Sequence, residues 1–404
     1  MFRRVSSLRT RSLKPYRYIL PLALLSLIVL TGIIGVAHGK AKWTVMIYMD
    51  ADNNLEPAAF LDLKELQSVG STSNVNILVL LDRYSVNGSE ILYITRGGNE
   101  TIWGGWSNTF ELNMSDPRTL VFFINYVVQR YPADHYMLVI WDHGNGWMGV
   151  SWDDTNGGYL TMEGLKSALE SVNVNIDVLG FDACLMANVE VAYTLALTGK
   201  VHVMVASEDY EPWYGWPYDA IMNYLVNNPN TTPEELAKVI VEEYVKSYEH
   251  GSQGFAIYVT MSAINLDYVK DLVTSMKPLV TVLINNMAYY WSDITAAKDS
   301  ADRYWFGYYM SGPYIDLYTF LTKLSSMNPT LRQYVSPVLA VWDKVVISTD
   351  CVGGPHVNGC YGLTIYFPRN RNIFYLPEPY YNAVPEFATE TQWYLLLTKY
   401  YSMR

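Results

Sequence analysis

Two residues able to do acyl-transfer chemistry stand at matching places in this chain. His143 closes the run "LVIWDHGNG", and Cys184 closes "VLGFDAC". Each follows a short apolar stretch that reads as a buried strand, and the polar residues mark the strand tip. In open α/β sheets the chemistry sits at such carboxyl ends. If the two strands are neighbours, an imidazole and a thiol face one crevice, as a nucleophile and its proton partner. The thiolate would attack an acyl carbon. The imidazole would protonate the leaving amine and then activate water. Backbone N–H groups of Gly144 and Cys184 can form an oxyanion hole, and a glycine lets backbone come close to a substrate. Asp182 lies two residues before the thiol, on the same face of an extended segment. It is expected to pair with a basic substrate side chain, joined by Glu208 and Asp209 from the tip of the next strand.

The elements that must carry these residues are legible in outline. Trp43–Met49 and the run from Val75 read as strands buried on both faces. "ILYITRG" and "TIWGGW" read as a hairpin. Asp116 with Pro117 marks a helix start, and Thr161 caps a helix through Ser171. A helix is expected from Ala187 onward and another from Pro233 to His250. The strand that follows is expected at "GFAIYVT". Strands alternating with helices argue for an α/β fold with a mostly parallel sheet covered on both sides. Beyond about Asn265 the pattern loosens into helices, a loop-and-helix stretch and a final strand at "GCYGLTIYFP". Three parts are expected: residues 1–39, residues 40–265 carrying the chemistry, and residues 266–404. The last is either a separate region or an elaboration of the second.

The N-terminus differs from the rest. Arg3, Arg4, Arg9, Arg11, Lys14 and Arg17 precede an uncharged stretch from Tyr18 to Val36. This is the pattern of a secretory signal, with Ala37-His38-Gly39 as its cleavage site. A retained signal anchor is the alternative, because nineteen uncharged residues can almost span a bilayer. Either way the remainder is expected outside the cell, secreted or membrane-anchored. The net charge of −11 excludes a general nucleic-acid surface. A monomer is expected. Of three cysteines, Cys351 and Cys360 flank a turn-rich loop and are expected to pair, since disulfides persist in an oxidising compartment. Cys184 is then the odd thiol.

Four stretches carry a family resemblance: "WTVMIYMDADNNLE", "WDHGNGW", "GFDACLMANVEVAY" and "ASEDYEPWYGWPY". In this order they resemble the clostripain family of cysteine peptidases, of the clan that includes caspases, gingipains and legumain. The resemblance implies a caspase-like three-layer α/β sandwich, a His143–Cys184 dyad and Asp182 at the base of the S1 pocket. It implies cleavage of protein or peptide substrates after basic residues, Arg or Lys, through a thioacyl-enzyme. Clostripain-like enzymes can also cut themselves between the catalytic His and Cys. Here the one basic residue in that interval is Lys166, inside the expected helix "MEGLKSALESV". No cofactor is required by the sequence. Calcium enters by resemblance alone, since some relatives need it. "SWDDTNGG" offers Asp153, Asp154 and Asn156, but reads better as a polar hairpin turn.

Two rival readings remain open at this level. Asp50-x-Asp52 after a strand resembles the start of haloacid-dehalogenase-type phosphohydrolases, although Asn54 stands where that family has Thr or Val. The plainer account is that Asp50, Asp52 and Asn53 hydrogen-bond the strand-to-helix loop. The other rival is a non-catalytic surface protein on the same fold, with "YEPWYGWPYD" and "ADRYWFGYYMSGPY" lining a groove.

Overall fold

The computed structural model describes residues 40–249, 251–304, 312–353, 359–369 and 377–403. Its first strand, β1 (Ala41–Ala51), is apolar at nearly every position because both faces are covered. Met46 and Tyr48 enter one core, and Val45, Ile47 and Met49 enter the other. Along the chain follow β2 (Val75–Arg83), β3 (Glu90–Thr95), β4 (Gly98–Gly104), β5 (Ala133–Trp141), β6 (Val150–Asp153), β7 (Gly158–Leu160), β8 (Ile176–Asp182), β9 (Val201–Ala206), β10 (Val259–Asn265), β11 (Arg303–Tyr304), β12 (Tyr314–Asp316), β13 (Val346–Val352) and β14 (Thr364–Tyr366).

One nine-stranded sheet organises the described residues, in the order β13-β10-β9-β8-β5-β1-β2-β3-β4. Its centre, β9-β8-β5-β1-β2, is parallel, and antiparallel pairs extend both flanks. On one face pack α1 (Glu56–Val69) and, later in the chain, the helices Tyr218–Asn227 and Pro233–Glu249. On the other pack α2 (Pro117–Arg130), α3 (Met162–Ser171), α4 (Val189–Thr198), α5 (Val269–Asn285) and the C-terminal helices. This is the expected three-layer α/β sandwich. The local signals act as read: the Asp116 side chain accepts from Arg118 N–H at 2.8 Å, and Thr161 from Gly164 N–H at 3.0 Å.

Two elements differ from expectation. The helix after Cys184 begins at Val189 rather than Ala187, with Asn188 as its N-cap, because the intervening residues turn back to the tip of β9. The strand expected over "GFAIYVT" begins at Val259. Tyr258 has a left-handed φ of 66°, which breaks the extended run, and Phe255 before it is 77% exposed. The residues after 265 are woven into the same compact unit, which spans Gly39–Arg404. β13 extends the main sheet beside β10, and Thr364 N–H of β14 donates to the Ala187 carbonyl at 2.9 Å. Among the described residues no helix is long and apolar enough to cross a membrane. The signal or anchor expected in residues 1–39 lies outside the described residues, as do His250 and most of the aromatic run from Tyr304 to Tyr309.

Candidate active site

Register brings the two chemically suited residues together. β5 and β8 are parallel neighbours, and Trp141 pairs with Asp182 at their carboxyl ends. His143 and Cys184 each stand two residues beyond that pair, so they leave the sheet side by side. Both line one cleft of about 300 Å³, together with Asn54, Asp62, Gly144, Asp182, Tyr210, Glu211 and Trp213. Among the described residues no Lys or Arg lines it.

The backbone here is tightly set. A Cβ on Gly144 would lie 2.3 Å from the Cys184 carbonyl oxygen, so only glycine fits against the cysteine loop. Beyond Cys184, Leu185 takes a left-handed φ of 66°, and its N–H donates to the Asp209 carbonyl at 3.0 Å. Ala187 N–H donates to Ser207 at 2.8 Å. The cysteine turn is therefore stitched to the tip of β9. The far side of the histidine loop is held by Tyr314, whose hydroxyl donates to the Asn145 carbonyl at 2.9 Å.

His143 Nε2 lies 2.8 Å from Asn54 Oδ1. A carboxamide oxygen only accepts, so Nε2 carries the proton and Nδ1 keeps the lone pair. Burial lowers the His143 pKa, which favours the neutral ring. Burial pushes the Cys184 thiol up to about 12, although Glu211 N–H donates to its sulfur at 3.4 Å. Both groups are thus neutral at rest. Asn54 was not singled out for this contact by the sequence, where it appeared only as a departure from another motif.

The acidic floor of the cleft is only partly as expected. Asp182 is there. It accepts from the Tyr218 hydroxyl at 2.9 Å and from Trp216 N–H at 3.4 Å. Burial raises its pKa to about 6, and that of the adjoining Glu211 well above the usual range. The two carboxyls share a hydrogen bond, donated by Glu211. Gly215 (φ 55°) keeps the space over Asp182 open, since a Cβ there would lie 2.8 Å from Oδ1. Glu208 and Asp209 do not join the cleft. Glu208 is wholly buried against Asp316, beneath Gly362 N–H. The Asp209 carboxylate accepts from Tyr210 N–H at 2.7 Å. Glu211 takes the place assigned to them. The signal was present in "EDYEPW", but nothing local says which of its three acids turns inward.

The bridge expected between Cys351 and Cys360 is not formed. Both are free thiols held in contact, with Cys360 donating to Cys351. Asp50 lies away from the cleft, fully buried, and accepts from Ser151 Oγ at 2.8 Å. As the plainer account had it, Asp50 accepts from Asp52 N–H, and the Asn53 side chain from Leu55 N–H at 2.8 Å. Asn53 also donates to Asp142 Oδ1 at 2.7 Å, behind the histidine.

Residues 47–400 match the sequence profile of the clostripain family. A curated relative, clostripain of Hathewaya histolytica, is 26% identical over 430 residues, spanning 87% of this chain and 79% of its own length. The fold is similar to the X-ray structure of an inactive zymogen C11 protease from Parabacteroides distasonis (TM-score 0.67, 22% identity, 87% of this chain and 99% of that one). It is equally similar to a secreted C11 cysteine protease from Bacteroides thetaiotaomicron in complex with an irreversible peptide inhibitor (TM-score 0.67, 22% identity, 87% and 99%).

Proposed function

The chain belongs to the clostripain family and is a cysteine peptidase; from that premise we propose that it is an exported endopeptidase cleaving after Arg or Lys through a Cys184–His143 dyad. The observation that carries the proposal is the shared register of His143 and Cys184 above an acidic cleft that no Lys or Arg among the described residues lines.

The resting thiol is too weak an acid to be a standing thiolate. Its proton must move as it attacks. His143 Nδ1, held free by the Asn54 contact, accepts that proton while sulfur bonds to the scissile carbonyl carbon. The developing oxyanion is stabilised by the N–H groups of Gly144 and Cys184. The imidazolium then protonates the leaving amine as the C–N bond breaks. Water, deprotonated by the same nitrogen, attacks the thioester, and the sulfur recovers its proton as the acid departs. A guanidinium or ammonium at P1 would replace the proton between Asp182 and Glu211. The Glu211 carboxyl is buried beside that of Asp182, whose charge repels it, so a cation between them relieves a standing cost. Export is supported by the six positive charges and the uncharged stretch that open the chain.

A fluorogenic peptide series with Arg, Lys, Leu or Asp at P1 tests the proposal. Turnover of the Arg and Lys peptides is expected, lost by roughly 10⁴-fold or more in Cys184→Ala. Equal turnover of all four, or an active Cys184→Ala, would overturn it.

A further inference from the structure

Helix α1 carries two acids toward the carboxyl ends of β5 and β8. Ala58, Asp62 and Glu65 recur at spacings of four and three, so they share one helix face. Ala58 and Asp62 line the cleft together with Asp182. The two acids of α1 differ in how they are satisfied. Glu65 has a donor for each oxygen: Gln253 Nε2 donates to Oε1 at 2.7 Å, and Tyr218 N–H to Oε2 at 2.9 Å. Asp62 has only one. Trp141 Nε1 donates to its Oδ2 at 2.7 Å, while Oδ1 is buried and finds no partner among the described residues. The residue is 1% exposed. Trp141 also fixes where Asp62 sits, because it pairs with Asp182 across β5 and β8. Burial raises the Asp62 pKa well above the usual range, and Asp182 is the charge that acts on it most strongly. Asp182 is likewise the charge acting most strongly on Glu211. It is thus the common neighbour of an acid from α1 and an acid from the loop after β9.

We propose that Asp62 completes the P1 pocket as a carboxylate that meets a guanidinium, and that it thereby selects Arg over Lys. The inference rests on the reading above, in which a basic P1 side chain meets Asp182. An ammonium is a compact point charge, and the Asp182–Glu211 pair can take up its donors. A guanidinium is a flat fork whose N–H donors point to more than one side. With one edge on Asp182 and Glu211, it still has donors to place. Asp62 Oδ1 is an acceptor without a donor at that location, and a buried acceptor left unpaired is costly. Since no Lys or Arg among the described residues lines the cleft, a cationic donor for Asp62 has to come with the substrate.

The test measures kcat/KM for Arg, Lys and Leu peptides on the purified full-length chain, its Asp62→Asn and Asp62→Glu variants, and Asp182→Ala. Asparagine keeps an oxygen for Trp141 Nε1 and removes the charge. The wild type should favour Arg over Lys by about tenfold or more. Asp62→Asn should lower the Arg value by about 10- to 100-fold and move Lys and Leu by less than about threefold. Asp62→Glu should recover part of the Arg advantage, and Asp182→Ala should lose Arg and Lys together. If Asp62 only steadies Trp141, Asp62→Asn lowers all three peptides alike. That result, or an unchanged Arg-to-Lys ratio, overturns the proposal while leaving the basic P1 preference in place. A wild type that cleaves Leu as well as Arg would instead remove the underlying reading and this inference with it. Should neither Asp62 variant fold, calorimetric titration of Cys184→Ala with the same Arg and Lys peptides decides. Arg should bind about tenfold tighter, and equal Kd values would overturn the proposal.

Discussion

The stretch Asp50–Leu55 borders two groups of buried acids that differ in what surrounds them. Asp182 and Glu211 lie beneath an open cleft, where Gly215 leaves room for a ligand to reach the carboxylates. Asp52, Asp82 and Asp153 are closed in by the β6–β7 hairpin and by backbone N–H groups that fix their orientation. The electrostatic need is the same, since enclosed negative charge is stabilised by a cation or by protons. Access separates the two. An acid pair under a cleft suits a cation that arrives and leaves with each turnover, and the enclosed trio lies out of a substrate's reach.

Swapping lesions between the groups gives the largest contrast. Asp182→Ala should lower kcat/KM for an Arg peptide by roughly 100-fold or more, while a Leu peptide changes little. Asp82→Asn, outside the cleft, should keep the Arg-over-Leu preference. Loss of that preference in Asp82→Asn would collapse the distinction between the two groups.

Acidity gives a smaller, graded effect. Burial, with Glu211 beside it, holds Asp182 at about 6, so the carboxylate is present above that pH and protonated below it. KM for an Arg peptide should therefore rise about tenfold per pH unit as pH falls below 6. Groups facing Asp182 that titrate elsewhere, Tyr218 and Cys184, lie far above this window, and Glu211 also lies above its usual value. Burial lowers His143 as well, which favours its neutral ring. The ratio of Arg to Leu kinetics isolates the acid pair from the dyad. A ratio flat from pH 5 to 8 would mean that neither acid meets the P1 side chain.

Much of the scaffold was legible because the central strands are buried on both faces, which leaves nearly unbroken apolar runs at β1, β2, β5 and β8. The dyad positions were legible because each closes such a run. What escaped depends on side-chain direction or on partners distant in sequence. Within "SEDYE" all three acids are buried or half-buried, yet only Glu211 lines the cleft, and the fold beyond β9 decides that. Asp82 lies within the run from Val75, which read only as a strand. Its companionship with Asp153 arises only when the hairpin folds over β1 and β2. "GFAIYVT" looked like a strand throughout, but one left-handed residue, Tyr258, moves pairing to Val259 onward.

The central claim is that Cys184 attacks substrates presenting a basic P1 side chain over Asp182. Its most direct test is incubation of the wild-type protein with an Arg-bearing chloromethyl ketone, followed by peptide mass mapping. A single adduct on Cys184 is expected, formed much faster than with the Leu analogue and slowed in Asp182→Ala. An adduct on Cys351 or Cys360 instead, or a rate indifferent to Arg against Leu, would contradict the account.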